Sequence, residues 1–484
     1  MAKSLMFMGT GSDVGKSLLV AGLCRAYANR GLKVAPFKPQ NMSNNAGVTV
    51  DGGEIGRAQM LQARAARRPP LTAMNPVLLK PEHETGAQLV VRGRRRATMP
   101  ARDYWSRRAE LLPEVLAAYR ELVAAADLVL VEGAGSASEV NLRSADIANF
   151  GFARSCNLPV VLIGNIERGG VIAALVGTLA VIDRDDAGLV VATLVNKFRG
   201  DPSLFETGRR FIADRTGVPC LGPVPYYAEA GKLPQEDSLA LDAPRRATGG
   251  TVKIVVPRLP RIANFDDLDP LAAEPDVALT VVEPGRALPR DADLIILPGS
   301  KATRADLAAL VANGWDIDIR AHHRADGRVL GICGGYQMLG RTIGDPDGIE
   351  GEPGTSEGLG LLGVDTVLAP GKVLRIEAGT WGPDRLPLTG YHMHMGVTAG
   401  DDTTRPFAHV GAEAEGATSA DGRVMGTYLH GLFAADGFRR AFLSLDSDVA
   451  YEPEIEAALD GLAAHLESHL DLDALLAMAR EPRS

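Results

Sequence analysis

Cysteine is scarce in this chain. Cys24, Cys156, Cys220 and Cys333 are the only four among 484 residues. They show no metal-ligand spacing and no dense disulfide pattern. A reducing cytoplasm is the expected compartment. Positive charge is also in short supply: Lys and Arg total 51 against 60 Asp and Glu, a net charge of −9. That balance argues against a general nucleic-acid binder. Long apolar runs are missing too. The longest, Gly169 to Ile182, is too short to span a bilayer and follows Glu167-Arg168. The first residues carry no charged-then-apolar leader. Neither a membrane segment nor a nucleic-acid partner is expected.

What is present points to a globular enzyme of several parts. Apolar residues make up 46% and charged residues 23%, at a length of 484 that exceeds one compact core. Two or three domains are expected. Basic residues cluster at Arg92, Arg94, Arg95 and Arg96. That cluster fits either a solvated loop or a contact for an acidic substrate.

The chain is organised around Gly9-Thr10-Gly11-Ser12-Asp13-Val14-Gly15-Lys16-Ser17. An apolar strand-like run precedes it and a helical pattern to Asn29 follows. A glycine-rich turn between strand and helix offers backbone N–H groups and a helix N-terminus to phosphate. Gly9, Thr10, Gly11, Asp13, Val14, Gly15, Lys16 and Ser17 are therefore the expected nucleotide cradle. Lys16 supplies charge at the outer phosphates and Ser17 a hydroxyl to magnesium. The pattern is not strict, because Thr10 stands where the first glycine is usual and that glycine falls one place earlier, at Gly9. The form resembles the variant P-loop of dethiobiotin synthetase and its amidoligase relatives.

A second strand over 33–37 delivers Lys38-Pro-Gln-Asn41-Met-Ser-Asn-Asn45 to the edge where an α/β sheet places its ligand. Lys38 is expected to neutralise a phosphoryl group in transfer. The run Leu128-Val-Leu-Val131 reads as a buried parallel strand ending in Glu132, an acidic residue placed to serve magnesium with Ser17. Further strands over 159–163 and 189–195 follow. The latter ends at Asn196, a candidate reader of an adenine edge. The alternation predicts a doubly wound parallel sheet over 1–235. Residues 236–250 lose periodicity and are the expected linker.

The second half, 251–438, opens with three strand patterns at 252–256, 277–282 and 293–297, again predicting a parallel sheet. Its strongest motif is Gly331-Ile-Cys333-Gly334-Gly335-Tyr-Gln337. Strand, Gly-x-Cys-x-Gly, helix is a nucleophile elbow carrying cysteine. Backbone N–H groups there can hold an oxyanion. The thiol needs a proton acceptor. His430 is the candidate, with His392 and His394 as rivals that spacing alone does not separate. From 439 to 484 the pattern is helical, with Ile455, Leu459, Leu462, Leu466 and Leu470 at packing intervals.

A half that makes phosphate a leaving group, joined to a half that opens an amide, suggests ATP-driven amidation fed by ammonia from glutamine. At this point the second half resembles a flavodoxin-like class I glutamine amidotransferase domain, with Cys333 and His430 at the nucleophile and base positions. The whole chain is similar to the glutamine-hydrolysing amidoligases of cobalamin biosynthesis. The more specific marks are Lys38–Ser43, Gly53-Glu-Ile-Gly-Arg-Ala-Gln59, Met74–Pro81, Glu139-Val-Asn-Leu-Arg143 with Asp146–Asn149, and Asn196–Asp201. The resemblance implies ATP, magnesium and glutamine as reactants. It implies adenosylcobyrinic acid a,c-diamide as the small-molecule corrinoid substrate, amidated at its b, d, e and g carboxylates through acyl phosphates. Lys38, Asn41 and Glu139 would lie near the corrinoid carboxylate, and Gly299, Gly334 and Gln337 at the oxyanion and glutamine site.

Some positions depart from the pattern. Leu432 stands where triad amidotransferases carry Glu, so His430 must be oriented otherwise. His392 stands where Glu is expected. Asn165 and Glu167 replace an Asp pair, and Ala263 replaces a Ser. Two rivals remain. Cobyrinic acid a,c-diamide synthases share the two domains but carry an acidic Pro-Asp-Tyr-Ile-Asp-type run where this chain has Pro39-Gln-Asn-Met-Ser-Asn44. A P-loop ATPase switch with a degenerate amidotransferase half would carry an extra early lysine, which Thr10, Gly11 and Ser12 do not supply.

Overall fold

The computed structural model describes residues 2–83, 86–236 and 250–483. Most of the expected linker, 237–249, lies outside the described residues. Glu236, at its start, is tied into the first half by Asn41 Nδ2, which donates to its Oε1 at 2.6 Å.

The first half is built on a six-stranded sheet whose pairs are all parallel. Its order is Cys220–Leu221, Val190–Asn196, Val160–Asn165, Lys3–Gly9, Leu128–Glu132, Val34–Phe37. The central strand, Lys3–Gly9, reads Lys-Ser-Leu-Met-Phe-Met-Gly and is buried past its first residue. An apolar run of this kind suits a strand covered on both faces. Helix α1 (Lys16–Asn29) and helix α2 (Arg57–Ala65) pack against one another. The P-loop thus sits at the carboxyl edge of the middle strand, beside the ends of its two neighbours.

One feature exceeds what periodicity predicts. A small sheet, Gln40–Met42 with Val77–His83, Gly86–Val91 and Arg94–Pro100, rises from the first half toward the second. Between that sheet and the next strand the chain forms the helix Ala101–Arg107, a 3-10 turn and the helix Leu112–Ala125. The basic cluster lies on the small sheet and its turn. Arg92 pairs with Glu121 and Arg96 with Glu114, while Arg95 Nη2 reaches Ile349 O at 3.4 Å in the other half.

The second half has a six-stranded sheet in the order Val277–Val282, Val252–Pro257, Leu294–Leu297, Arg328–Ile332, Val424–Thr427, Ala417–Thr418. Only the last pair is antiparallel. A five-stranded antiparallel sheet that contains Val373–Trp381 and Leu386–His394 was not legible from the sequence pattern.

The long helix Tyr451–His469, near the end of the chain, returns to the first half and packs on α1. Ile455, Leu459, Leu462 and Leu466 join one core with Leu19, Leu23 and Tyr27. Each buried side chain contributes roughly 2 kcal/mol. Arg25, fully buried on α1, pairs with Glu456, and Tyr27 OH donates to Leu472 O at 2.8 Å. No helix of the described residues is long and apolar enough to cross a membrane.

Candidate functional site

A cleft of about 1260 Å³ runs along the carboxyl edge of the first sheet. The P-loop forms one wall. Gly15 takes φ +89°, and a Cβ there would lie 2.5 Å from Asn196 Nδ2, so a side chain is excluded on both counts. Asp13 is also left-handed at φ +56°. Thr10 N–H donates to Ile163 O at 2.9 Å, fixing the loop to the neighbouring strand. Asn196 Nδ2 donates to Val14 O at 2.9 Å. Part of the capacity expected for an adenine edge is thus engaged in holding the loop.

Lys16 Nζ donates to Gly11 O at 3.0 Å and Gly135 O at 2.9 Å. Burial holds its ammonium down to about 8, against the pull of Glu132. An arriving polyphosphate would restore the charge.

Glu132 is the hub of the cleft. Its Oε1 accepts from Ser17 Oγ at 2.7 Å and Lys38 Nζ at 2.9 Å, and its Oε2 from Gln62 Nε2 at 2.6 Å and Gln59 Nε2 at 3.4 Å. Burial would raise this carboxyl, but Lys38 and the hydrogen bonds keep it below its ordinary value. A hydroxyl and an ionised carboxylate beside a phosphate cradle are the hard oxygen donors magnesium takes. Ser17 and Glu132 fit that ion, with Lys38 sharing the same oxygen.

Lys38 also lies 3.7 Å from Glu236 Oε2. Glu132 and Glu236 outweigh burial and hold the Lys38 ammonium above its ordinary value. Burial, reinforced by Glu132, pushes Glu236 up in spite of Lys38. Asn41 bridges Gln59 Oε1 at 3.0 Å and Glu236 Oε1 at 2.6 Å. Glu139 lines the same cleft but is exposed on its wall. Gln59, Gln62 and Glu236 had no assigned role in the sequence. The first two fall in or just beyond the Gly53–Gln59 mark.

A second, small cavity of about 50 Å³ lies at the elbow of the other half. Cys333 stands between the strand Arg328–Ile332 and the short helix Gly334–Leu339, at φ +53° and ψ −109°. A non-glycine residue held there is strained, as nucleophile elbows are. Gly299 faces the histidine. A Cβ on it would come within 3.0 Å of His430 Cε1 and 2.9 Å of Ala263 O. A Cβ on Gly334 would meet Ser300 N at 2.9 Å. The Gln337 amide is fully engaged: its Oε1 accepts from Thr303 Oγ1 at 2.9 Å, and its Nε2 donates to Met395 O at 3.0 Å and Tyr428 OH at 3.2 Å. It shapes the cavity floor.

The structure separates the three histidines. His430 and Cys333 line the same small cavity, and the thiol Sγ donates to Met393 O at 3.6 Å. Its Nδ1 meets Asp267 Oδ2 at 2.7 Å, and Gly431 N donates to Asp267 Oδ1 at 2.6 Å. Asp267 therefore orients the imidazole where Leu432 cannot. Burial works against charge on His430, yet Asp267 and then Cys333 hold it up to about 10. His392 and His394 are instead held down, to about 4 and about 3, by burial and by their cationic neighbours. His394 stacks on Tyr428 at 3.8 Å. Asp267 was missed in the sequence, although it lies four residues after Ala263.

The halves meet around these sites. Glu54, fully buried, accepts from Lys80 Nζ at 2.7 Å and from Lys372 Nζ at 2.6 and 2.7 Å. Burial would raise the Glu54 carboxyl, but the two ammoniums hold it down to about 2. One carboxylate does not sustain two buried cations equally. Burial and the neighbouring lysines hold Lys372 down to about 7.

Comparison with known proteins accounts for both halves. Residues 5–240 match the CobQ/CobB/MinD/ParA nucleotide binding domain, and 253–438 match the CobB/CobQ-like glutamine amidotransferase domain. The chain is 60% identical to a cobyric acid synthase of Cereibacter sphaeroides over 482 residues, covering 99% of this chain and 100% of that one. It is 60% identical to the cobyric acid synthases of Azorhizobium caulinodans and Paracoccus denitrificans, with the same coverage of each chain. With both halves matched and the whole length shared at this identity, the chain belongs to the cobyric acid synthase family of glutamine-hydrolysing ligases.

Proposed function

We propose that this chain amidates the b, d, e and g carboxylates of adenosylcobyrinic acid a,c-diamide, using ATP and ammonia released from glutamine. The observation that carries the reading is the pairing of two sites in one chain. In one, Lys16, Ser17 and Lys38 converge on the Glu132 cleft. In the other, Cys333 and His430 line one small cavity and Asp267 meets His430 Nδ1.

In this reading the P-loop and Lys16 bind the ATP phosphates. Magnesium held by Ser17 and Glu132 would supply positive charge to the outer phosphates. Lys38 faces the phosphoryl group as it passes to a corrinoid carboxylate, which leaves an acyl phosphate open to ammonia. Asn41 and Glu236, with Glu139 on the wall, bound the acceptor side of the cleft. At the other site the proton held on His430 leaves a thiolate at Cys333 to attack the glutamine amide. His430 then returns the proton to the departing ammonia. Backbone N–H groups about Gly299 and Gly334 hold the oxyanion. The run Pro39–Asn44 puts Asn41 in the cleft, where an acidic run would favour the a,c-diamide synthase reading.

Mass spectrometry of the corrinoid product tests this. Purified protein is given ATP, magnesium and glutamine with adenosylcobyrinic acid a,c-diamide or with cobyrinic acid. Four successive one-amide mass shifts on the first substrate are expected. Two shifts on the second and none on the first would move the assignment to the a,c-diamide synthase.

A further inference from the structure

Arg57 opens α2 in the nucleotide-binding half, yet its guanidinium faces the other half. Its Nη2 donates to Tyr391 OH at 2.8 Å and pairs with Asp266. Both partners flank the catalytic base. The Tyr391 ring stacks on His430 at 5.3 Å and 21°, and Asp266 immediately precedes the Asp267 that binds His430 Nδ1. The surrounding bonds also cross between the halves. Asn264 Nδ2 donates to Tyr391 OH at 2.7 Å and to Ala46 O at 3.0 Å, and Phe265 N donates to Asn45 Oδ1 at 3.1 Å. Arg57 N in turn donates to Asn45 O at 3.1 Å.

The same helix carries the acceptor site. Gln59 and Gln62 donate to Glu132 Oε2, and Ala58 N donates to Glu236 Oε1 at 3.2 Å. α2 is nine residues long, so contacts to both sites sit within two turns of one rigid element. The Arg57–Asp266 pair has a second arrangement open to it. Arg57 Nε and Asp266 Oδ1 are both buried without a hydrogen-bond partner, so a small rotation would change a one-bond contact into a two-bond fork.

We infer that Arg57 is a positioning residue for glutamine hydrolysis, supplied by the nucleotide-binding half, and that α2 couples occupation of the Glu132 site to the setting of His430. The inference rests on the two-site reading above. A ligand that draws on Glu132 or Glu236 loosens their bonds to Gln59, Gln62 and Ala58. α2 shifts as a unit. Arg57 then resets Asp266 and Tyr391, and with them the Asp267–His430 line. Glutamine is thereby opened when an acceptor is ready for ammonia.

The test compares wild type with Arg57→Gln, Arg57→Lys and Tyr391→Phe. Glutamine hydrolysis is measured with and without ATP, magnesium and corrinoid, beside amidation driven by ammonium chloride. For Arg57→Gln, kcat for glutamine should fall roughly 10- to 100-fold, as expected of a misplaced base, with KM for glutamine nearly unchanged. Stimulation by the synthetase ligands should vanish, and ammonia-driven amidation should stay within about twofold of wild type, far above that loss. Arg57→Lys should recover part of the loss. Tyr391→Phe, which removes one hydroxyl, should lower glutamine kcat about fivefold with ammonia-driven turnover intact. Unchanged hydrolysis and stimulation in both Arg57→Gln and Tyr391→Phe would overturn the inference. So would a parallel loss with both nitrogen sources that Arg57→Lys does not relieve. A wild type that never hydrolyses glutamine would overturn the two-site reading itself, and this inference with it.

Discussion

Asp267→Asn isolates the carboxylate that meets the His430 imidazole where Leu432 stands in place of the triad Glu. The change keeps size and shape, and the buried Asp267 side chain is in contact with His430 Nδ1 at 2.7 Å and Gly431 N at 2.6 Å. What it removes is a negative charge. At a charge separation of about 4 Å and an effective dielectric near 20, that attraction is worth about 4 kcal/mol. At 1.4 kcal/mol per tenfold, the imidazolium becomes harder to form by roughly a thousandfold. Burial, which opposes charge on His430, then prevails, and the group falls from about 10 toward or below neutrality. The sign follows: wild type keeps the proton on His430 through the neutral range, whereas the variant loses it there. Two assays read this. Glutamine-dependent amidation at pH 7.5 should fall by roughly 100- to 1000-fold, while ammonia-dependent amidation is retained. Alkylation of Cys333 by iodoacetamide at pH 7 should slow in parallel. Burial raises the thiols of Cys24, Cys156 and Cys220, so they stay silent in that assay. A loss under tenfold with unchanged alkylation, against roughly 4 kcal/mol of attraction, would refute Asp267 as the group that charges the base.

Other perturbations address the remaining parts. Cys333→Ala should abolish turnover with glutamine and leave ammonia-dependent turnover largely intact. Lys16→Ala should stop amidation from either source; ammonia-driven turnover in that variant would sink the P-loop assignment. Glu54→Gln leaves the Lys80 and Lys372 ammoniums without their carboxylate at the domain interface, at a cost of roughly 3–5 kcal/mol in chemical denaturation. Because Glu54 is held down to about 2 from an ordinary 4.5, its contribution is complete between pH 4.5 and the point near 7 where Lys372 gives up its proton, and is lost as pH falls toward 2. The gap between wild type and variant should therefore close as pH falls from 4.5 toward about 2. A gap that does not narrow there would place the stabilisation elsewhere.

The chemistry of this protein was legible wherever it is carried by neighbours in sequence. A P-loop is a contiguous strand, turn and helix, and so is a cysteine elbow, so Lys16, Ser17 and Cys333 announce themselves by local spacing. Strand runs such as Leu128–Glu132 also revealed the parallel sheets, because burial on both faces imposes an unbroken apolar pattern. The antiparallel strands Val373–Trp381 and Leu386–His394 did not declare themselves, since they are only partly buried and mix polar with apolar residues. Nor did the partners that complete each site. Asp267 reaches His430 across 163 residues, and Glu236 reaches Asn41 across 195. No periodicity encodes such pairings. They exist because the sheets bring distant loop ends to one edge, where a buried charge finds its counterpart. The sequence by itself named the candidate reacting groups and their order along the chain. The tertiary structure alone decided which histidine stands beside the thiol with a carboxylate on its Nδ1, and that one short helix touches both sites.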